Sequence, residues 1–315
     1  MSRPPYPLAV IQYGQLAPPT HVLAHISDTH LLAGEARQYN AIDTAARFAA
    51  ALDRLAGMDP APQALVLTGD LADLGEPDAY RLLRTMVEPV AERMGAQVVW
   101  CMGNHDERAA YSRELFGSES DEPQDRVYDV AGLRIVSLDT SVPGWHHGEL
   151  RQAQLAWLRD VLATPAEHGT ILALHHPPIP SPMLPVAEVI ELLHTDRLAD
   201  VVRGTDVRAI LGGHYHFTSH STFAGIPVSV AAATCNLSAP APLGRFISAL
   251  DGNTSVNTVH VYADRVVHTV VPVPEAPEVS GYGMDVAPLV AALSPEERLD
   301  MFSRKDSEFN RGTVV

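Results

Sequence analysis

Five short segments carry the residue types that hold metal ions: Asp28-Thr29-His30, Gly69-Asp70, Gly103-Asn104-His105-Asp106, His175-His176 and Gly213-His214-Tyr215-His216. Seven side chains among them are natural ligands, namely Asp28, His30, Asp70, Asn104, His175, His214 and His216. Imidazole with carboxylate and amide oxygen, and no thiolate in the set, suits Mn, Fe or Zn. Two ions taking about five or six ligands each are served by seven protein ligands if one carboxylate is shared. Asp70, alone in its segment, is the expected bridge. Such a pair of ions activates a water and binds phosphate oxygens, which is the chemistry of phosphate-ester hydrolysis.

The spacing predicts how these residues converge. Alternate residues of an extended chain point the same way, so Asp28 with His30, and His214 with His216, are expected to share an aim while Thr29 and Tyr215 point elsewhere. Glycines 69, 103, 212 and 213 fit places where backbone turns sharply or passes close to an ion. Each segment follows an apolar run of strand length: 21–26, 64–67, 97–102, 170–174 and 207–211, with a further run at 133–138 ending in Asp139-Thr140. Ligands just past strand ends are where sites form in α/β sheets.

Helical patterns lie between the runs. They cover 41–56, with Asn40 as the expected cap and Gly57 as the end, and 77–94, with Pro77 in the first turn and a kink or break predicted at Pro89. Residues 149–162 and 196–203 complete the set, and the alternation predicts an α/β domain. From 217 the texture is β-branched, with strands expected at 223–230, 257–262 and 265–271. The last two would form a hairpin over Ala263-Asp264, and 236–256 reads as a loop.

The length allows two domains of about 150 residues, but ligands spread from 28 to 216 must meet. One domain is therefore expected at 20–275, with an N-terminal extension at 1–19 and a tail at 276–315. The tail has one expected helix, where Ser294-Pro-Glu-Glu297 fits a capping box. A net charge of −16 opposes binding to nucleic acid or anionic membrane, which relies on Lys and Arg. No apolar run reaches the ~20 residues of a membrane span. The two cysteines, Cys101 and Cys235, lie in apolar surroundings and read as buried thiols. With no signal-peptide pattern, a reduced cytoplasmic setting is expected.

The five motifs resemble the signature of the calcineurin-like metallophosphoesterase superfamily, over residues 20–272. More narrowly, HISDTH (25–30), TGDLAD (68–73), GNHD (103–106), LDTSVPG (138–144) and LHHPP (174–178) are similar to the class III cyclic-nucleotide phosphodiesterases, in particular the actinobacterial cAMP enzymes. The resemblance implies an α/β fold, a central mixed β-sandwich flanked by helices in α-β-β-α layers. It implies one ion on Asp28, His30, Asp70 and His216 and a second on Asp70, Asn104, His175 and His214. His105 would face the phosphate as acid or charge stabiliser, with Asp106 holding it. Fe and/or Mn are the implied ions, with Zn or another divalent ion also compatible, and a homodimer is the implied assembly.

The reaction so implied is hydrolysis of 3',5'-cyclic AMP to 5'-AMP, with a hydroxide shared between the ions attacking phosphorus and His105 protonating the leaving ribose oxygen. Acid catalysis of that kind is worth ~10²- to 10⁴-fold. Asn104, His105, His146 and His216 are the expected substrate contacts. The same site would serve 2',3'-cyclic nucleotides, glycerophosphodiesters or other esters, so the substrate stays open; a non-catalytic scaffold fits poorly with a ligand set that has lost nothing. His176, Asp73 and Asp139 read as residues supporting the ligands. Tyr80, Met183 and Leu184 read as packing, and His25, His260 and His268 as structural histidines.

Overall fold

The apolar runs become strands buried on both faces, which is why they lack alternation. The computed structural model describes residues 14–240 and 244–312, so most of the predicted N-terminal extension lies outside the described residues. In chain order the unit spanning 20–275 contains β1 (His21–Ile26), α1 (Thr44–Ala56), β2 (Ala64–Thr68), α2 (Pro77–Met94), β3 (Gln97–Cys101), α3 (Arg108–Phe116), β4 (Arg126–Val130), β5 (Leu133–Leu138), β6 (Ser141–Val142) and β7 (Trp145–Gly148). These are followed by α4 (Gln152–Leu162), β8 (Thr170–Leu174), α5 (Thr195–Val202), β9 (Val207–Gly212), β10 (Ser219–Phe223), β11 (Ile226–Val230), β12 (Leu237–Ser238), β13 (Ala249–Leu250), β14 (Ser255–Val261) and β15 (Val266–Pro272).

Two mixed sheets result, ordered β15-β14-β1-β2-β3 and β10-β11-β9-β8-β5-β4. In the first, β1, β2 and β3 are parallel and the β14–β15 hairpin is added antiparallel to β1. In the second, β5, β8, β9 and β11 are parallel, with β4 and β10 antiparallel at the edges. Strand alternation divides each run between two cores. Leu23, Val66 and Val99 meet Ile135, Ile171, Ala209 and Leu211 between the sheets. The opposite faces, Ile26, Leu65 and Leu67 in one sheet and Leu172, Leu174 and Ile210 in the other, are covered by α1–α3 and by α4–α5. The layers are therefore α-β-β-α.

Several local expectations are corrected. Asn40 does not cap α1; Asp43 does, accepting from the Ala46 N–H at 2.9 Å. Pro89 does not break α2, which runs unbroken through it because Val87, Val90 and Ala91 on either side are buried against the first sheet. The stretch read as a loop at 236–256 contains the short β12–β13 ladder. α3, β4, β10 and the β6–β7 hairpin, none of which has a long apolar run, add elements the periodicity did not reveal.

The second unit comprises the chain termini. Its described C-terminal part holds three short α-helices, α6 (Val286–Ala292), α7 (Pro295–Arg298) and α8 (Glu308–Gly312), with a π-helical turn at Leu299–Ser303 continuing α7, where one helix was expected. The capping box is formed at Ser294, whose Oγ accepts from Glu297 N at 3.2 Å while Glu297 Oε2 accepts from Ser294 N at 2.8 Å. No helix among the described residues is long and apolar enough to cross a membrane.

Candidate metal centre

The parallel strands of both sheets end on the same side of the sandwich, and every predicted ligand lies just past one of them. Asp28 and His30 follow β1, Asp70 follows β2, Asn104 and His105 follow β3, His175 follows β8, and His214 and His216 follow β9. The means of convergence differs from the expected pleat. Asp28, His30, Asp70, His214 and His216 have positive φ (52°, 44°, 48°, 73° and 59°), so the chain leaves each strand in left-handed turns. Non-glycine residues seldom adopt that region, and it collects at functional sites where surrounding structure holds it in place. Two glycines permit the crowding: a Cβ on Gly103 would stand 2.2 Å from Asp70 N, and one on Gly213 1.9 Å from Ser27 Oγ.

The atoms predicted to bind metal form two clusters joined by one carboxylate. On one side His30 Nε2 and His216 Nε2 are 3.2 Å apart, and His216 Nε2 is 3.4 Å from Asp28 Oδ1. On the other, His175 Nε2 is 3.1 Å from Asn104 Oδ1 and 3.2 Å from His214 Nδ1. Asp70 Oδ2 lies 3.5 Å from His30 Nε2 and 3.3 Å from His175 Nε2, between the halves, while its Oδ1 accepts the His105 N–H at 2.8 Å. Ring nitrogens facing away from the clusters are engaged: His175 Nδ1 donates to Thr68 O (2.8 Å), His214 Nε2 to Ile190 O (2.9 Å) and His30 Nδ1 to Asp73 Oδ1 (2.8 Å). Donation from the far nitrogen leaves the near lone pair free for an ion.

The electrostatics test whether cations fit. Asp28 and Asp70 are buried, which alone would raise their pKa values, yet neighbouring histidines hold Asp28 down to about 2 and Asp70 well below the carboxylate range. His175, despite burial, is pushed up to about 9 by the Asp70 charge and hydrogen bond and by Asp28. Burial, reinforced by the His175 charge, lowers His214 to about 3, so its imidazole is neutral. Two ionised buried carboxylates among imidazoles form a field that favours positive charge, and the donor set fits divalent ions.

Around the ligands the structure sorts the other candidates. His105 is half-buried; its Nδ1 donates to Asp73 O at 2.8 Å and its ring lies 4.7 Å from that of His30 and 5.1 Å from that of His146. Asp106 does not hold the His105 ring, which corrects the expectation. Its carboxylate accepts from the N–H groups of Leu71 (3.1 Å), Ala72 (3.0 Å) and Gly103 (2.9 Å) and from Tyr80 Oη (2.9 Å), so it pins the two ligand loops together. Burial and the Asp70 charge push Asp106 up to about 6 against the pull of those N–H groups.

His146 reaches the candidate site: its Nδ1 accepts from Asn104 Nδ2 at 2.9 Å, which turns the Asn104 oxygen toward His175. His176 supports that placement, donating from Nε2 to His146 O at 3.0 Å, with Nδ1 2.8 Å from Thr140 Oγ1. His147 packs beside Trp145 instead. Thr29 and Tyr215 turn away, bonding Leu71 O and Ile179 O. Tyr80 is buried, Leu184 is buried and Met183 is half exposed.

Sequence reasoning missed Arg108, Gln38 and Asn236. Arg108 is buried, with Nε 2.9 Å from Asp139 Oδ2 and Nη2 2.9 Å from Ser141 O, and it anchors the β6–β7 hairpin. An arginine two residues after the GNHD motif, beyond Glu107, is the one signal that pointed to it; Gln38 and Asn236 lie in irregular chain with none. Cys235 is buried as expected, with Sγ 3.8 Å from His216 Nδ1.

An α-β-β-α sandwich with a carboxylate set between two histidine clusters at its strand ends defines a metal-dependent phosphoesterase. The chain belongs to the calcineurin-like phosphoesterase family, whose model matches residues 21–217. A cAMP/cGMP dual specificity phosphodiesterase of Mycobacterium tuberculosis is 54% identical over 260 residues, covering 81% of this chain and 80% of that protein. A glycerophosphodiester phosphodiesterase of Enterobacter lignolyticus is 32% identical over 222 residues, covering 66% and 77% respectively. A dimetal phosphatase from Danio rerio superposes with a TM-score of 0.59 over 82% of this chain and 98% of its own, at 16% identity, and so shares the fold.

Proposed function

We propose that this chain hydrolyses 3',5'-cyclic nucleotides, cyclic AMP giving 5'-AMP, at a centre for two ions of Fe or Mn. The observation that carries the reading is Asp70 Oδ2 standing between His30 and His175 while the remaining ligand atoms divide evenly on either side. Asp28, His30, Asp70 and His216 would hold one ion; Asp70, Asn104, His175 and His214 the other. When bound, such ions supply Lewis acidity toward the phosphate and an activated water.

The chain's own groups do the rest. The Asp73 carbonyl engages His105 Nδ1, so Nε2 is the atom left to face the substrate. With hydrogen on both ring nitrogens it can protonate the leaving ribose oxygen, a poor leaving group as an alkoxide, and is left as the neutral ring with its hydrogen on Nδ1. Asn104 and His146, linked to each other, form the wall beside His105, and the Arg108–Asp139 pair and His176 keep that wall in place. The resemblance to the mycobacterial enzyme, over four-fifths of both chains, supports cyclic nucleotides as the substrate class.

A second reading, a broader phosphodiesterase, draws support from similarity to the glycerophosphodiester enzyme. The test is turnover of 3',5'-cAMP, 3',5'-cGMP, 2',3'-cAMP, glycerophosphodiesters and bis-p-nitrophenyl phosphate after chelation and manganese addition. Preference for the 3',5'-cyclic nucleotides is expected; slower turnover of both than of every other ester would replace the first reading by the second.

A further inference from the structure

Behind the rings of His30 and His216 runs an unbroken chain of hydrogen bonds. Asp73 Oδ1 lies 2.8 Å from His30 Nδ1 and accepts from Gln38 Nε2 at 3.1 Å. Gln38 Oε1 accepts from Asn236 Nδ2 at 2.8 Å, and Asn236 Oδ1 lies 3.2 Å from His216 Nδ1. Gln38 is 3% exposed and Asn236 1%, so water does not compete for either amide.

The direction of the chain is set at one end. A carboxylate only accepts, so both His30 Nδ1 and Gln38 Nε2 must donate to Asp73. Gln38 is then left with its oxygen toward Asn236, which must offer its N–H and keep its own oxygen for His216. One polarity therefore makes both imidazoles carry hydrogen on Nδ1 and point a free Nε2 at the ion. The other cluster has no counterpart, since His175 and His214 rest on backbone carbonyls.

Gln38 is itself held rigidly. Its N–H donates to Ile42 O (3.0 Å) and its carbonyl accepts from Ile42 N (2.9 Å) and Ala41 N (3.1 Å). Tyr39 and Asn40 between them have φ of 53° and 55°, the signature of a type I′ turn, which is an uncommon conformation for tyrosine.

We propose that Gln38, with Asn236, is a positioning residue for the ion bound by His30 and His216, fixing the tautomer and aim of both rings from a loop that supplies no ligand. This rests on the ion assignment proposed above. The experiment is calorimetric titration of metal-free protein with Mn(II), comparing wild type, Gln38→Leu and Gln38→Glu. Wild type is expected to bind two ions per chain in resolvable steps. Either variant should loosen one step by roughly 10- to 100-fold and leave the other unchanged, the range usual for outer-shell partners of metal ligands. Ionised glutamate keeps the size but cannot donate to Asp73, so at a pH where it is ionised a role in packing alone would spare that variant.

Equal affinities in wild type and variants, loosening of both steps together, or a Gln38→Glu protein that binds as wild type does would each overturn the proposal. A wild type that takes up fewer than two ions overturns the ion assignment first, and the inference falls with it.

Discussion

At the scale of single residues, the chemistry rests on which nitrogen of each imidazole is engaged. His105 is the clearest case: its Nδ1 is committed to the Asp73 carbonyl and its backbone N–H to Asp70. Its ring stands against that of His30 and groups with His30 and Asp73, apart from His175 and His214. His105→Ala is expected to lower kcat for 3',5'-cAMP by ~10²- to 10⁴-fold with metal content unchanged. Bis-p-nitrophenyl phosphate, whose phenolate leaves without protonation, should be affected far less. Loss of bound metal in the variant, measured by elemental analysis, would make His105 a ligand instead. The motif order HISDTH, GD, GNHD, HH and GHYH made the candidate ligands legible in the sequence, since each fragment pairs a metal-binding type with the end of an apolar run. Gln38 and Asn236 carried no such signal, because a single amide in an irregular segment has no local pattern and acquires meaning only through its partners.

At the scale of elements, the strands were legible and the supporting pieces were not. β1, β2, β3, β8 and β9 are continuous apolar runs because two helix layers and the facing sheet cover both sides. The β6–β7 hairpin reads as polar surface, yet it brings His146 to Asn104. It is held by a buried network in which Asp139 accepts from Arg108, Ser141 and Gln124, and Asp125 accepts from the Asp139 N–H (2.8 Å) and Gln154 Nε2 (3.0 Å).

Burial pushes the Asp125 carboxyl up to about 6, against the pull of those donors. A carboxyl raised on folding contributes stability that is fully present below its unfolded value near 4 and is lost as the pH rises through about 6. Asp125→Asn, which keeps the acceptor and removes the charge, should therefore gain stability relative to wild type between pH 4 and pH 8, by roughly 1–3 kcal/mol. Thermal unfolding at the two pH values measures it; an identical difference at both would show that Asp125 ionises as freely in the folded chain as in the unfolded one.

At the scale of the whole molecule, the −16 net charge is accompanied by a proposed metal centre in which the buried carboxyls of Asp28 and Asp70 are held low by neighbouring histidines. Ions bound there bind the folded state alone, because the ligands come from segments nearly 190 residues apart in the chain, from Asp28 to His216. Chelation should lower the unfolding temperature and manganese should restore it. An ion held at 1,000 times its dissociation constant contributes about 4 kcal/mol. A midpoint insensitive to both treatments would mean that the histidine clusters hold no ion.

The sequence by itself determined the candidate ligand types, their places at strand ends and the α/β class, because those are local properties of composition and period. Tertiary structure alone decided that β1–β3 and β5, β8 and β9 belong to two sheets whose ends face one point, and that Asp70 stands between the two clusters. It also decided that Asp106 ties loops together and does not hold His105, and that Gln38 and Asn236 complete the support of His30 and His216. These are contacts between segments far apart in the chain. Their geometry depends on how the sheets pack and on left-handed turns imposed by the surrounding structure, and no window of sequence contains either.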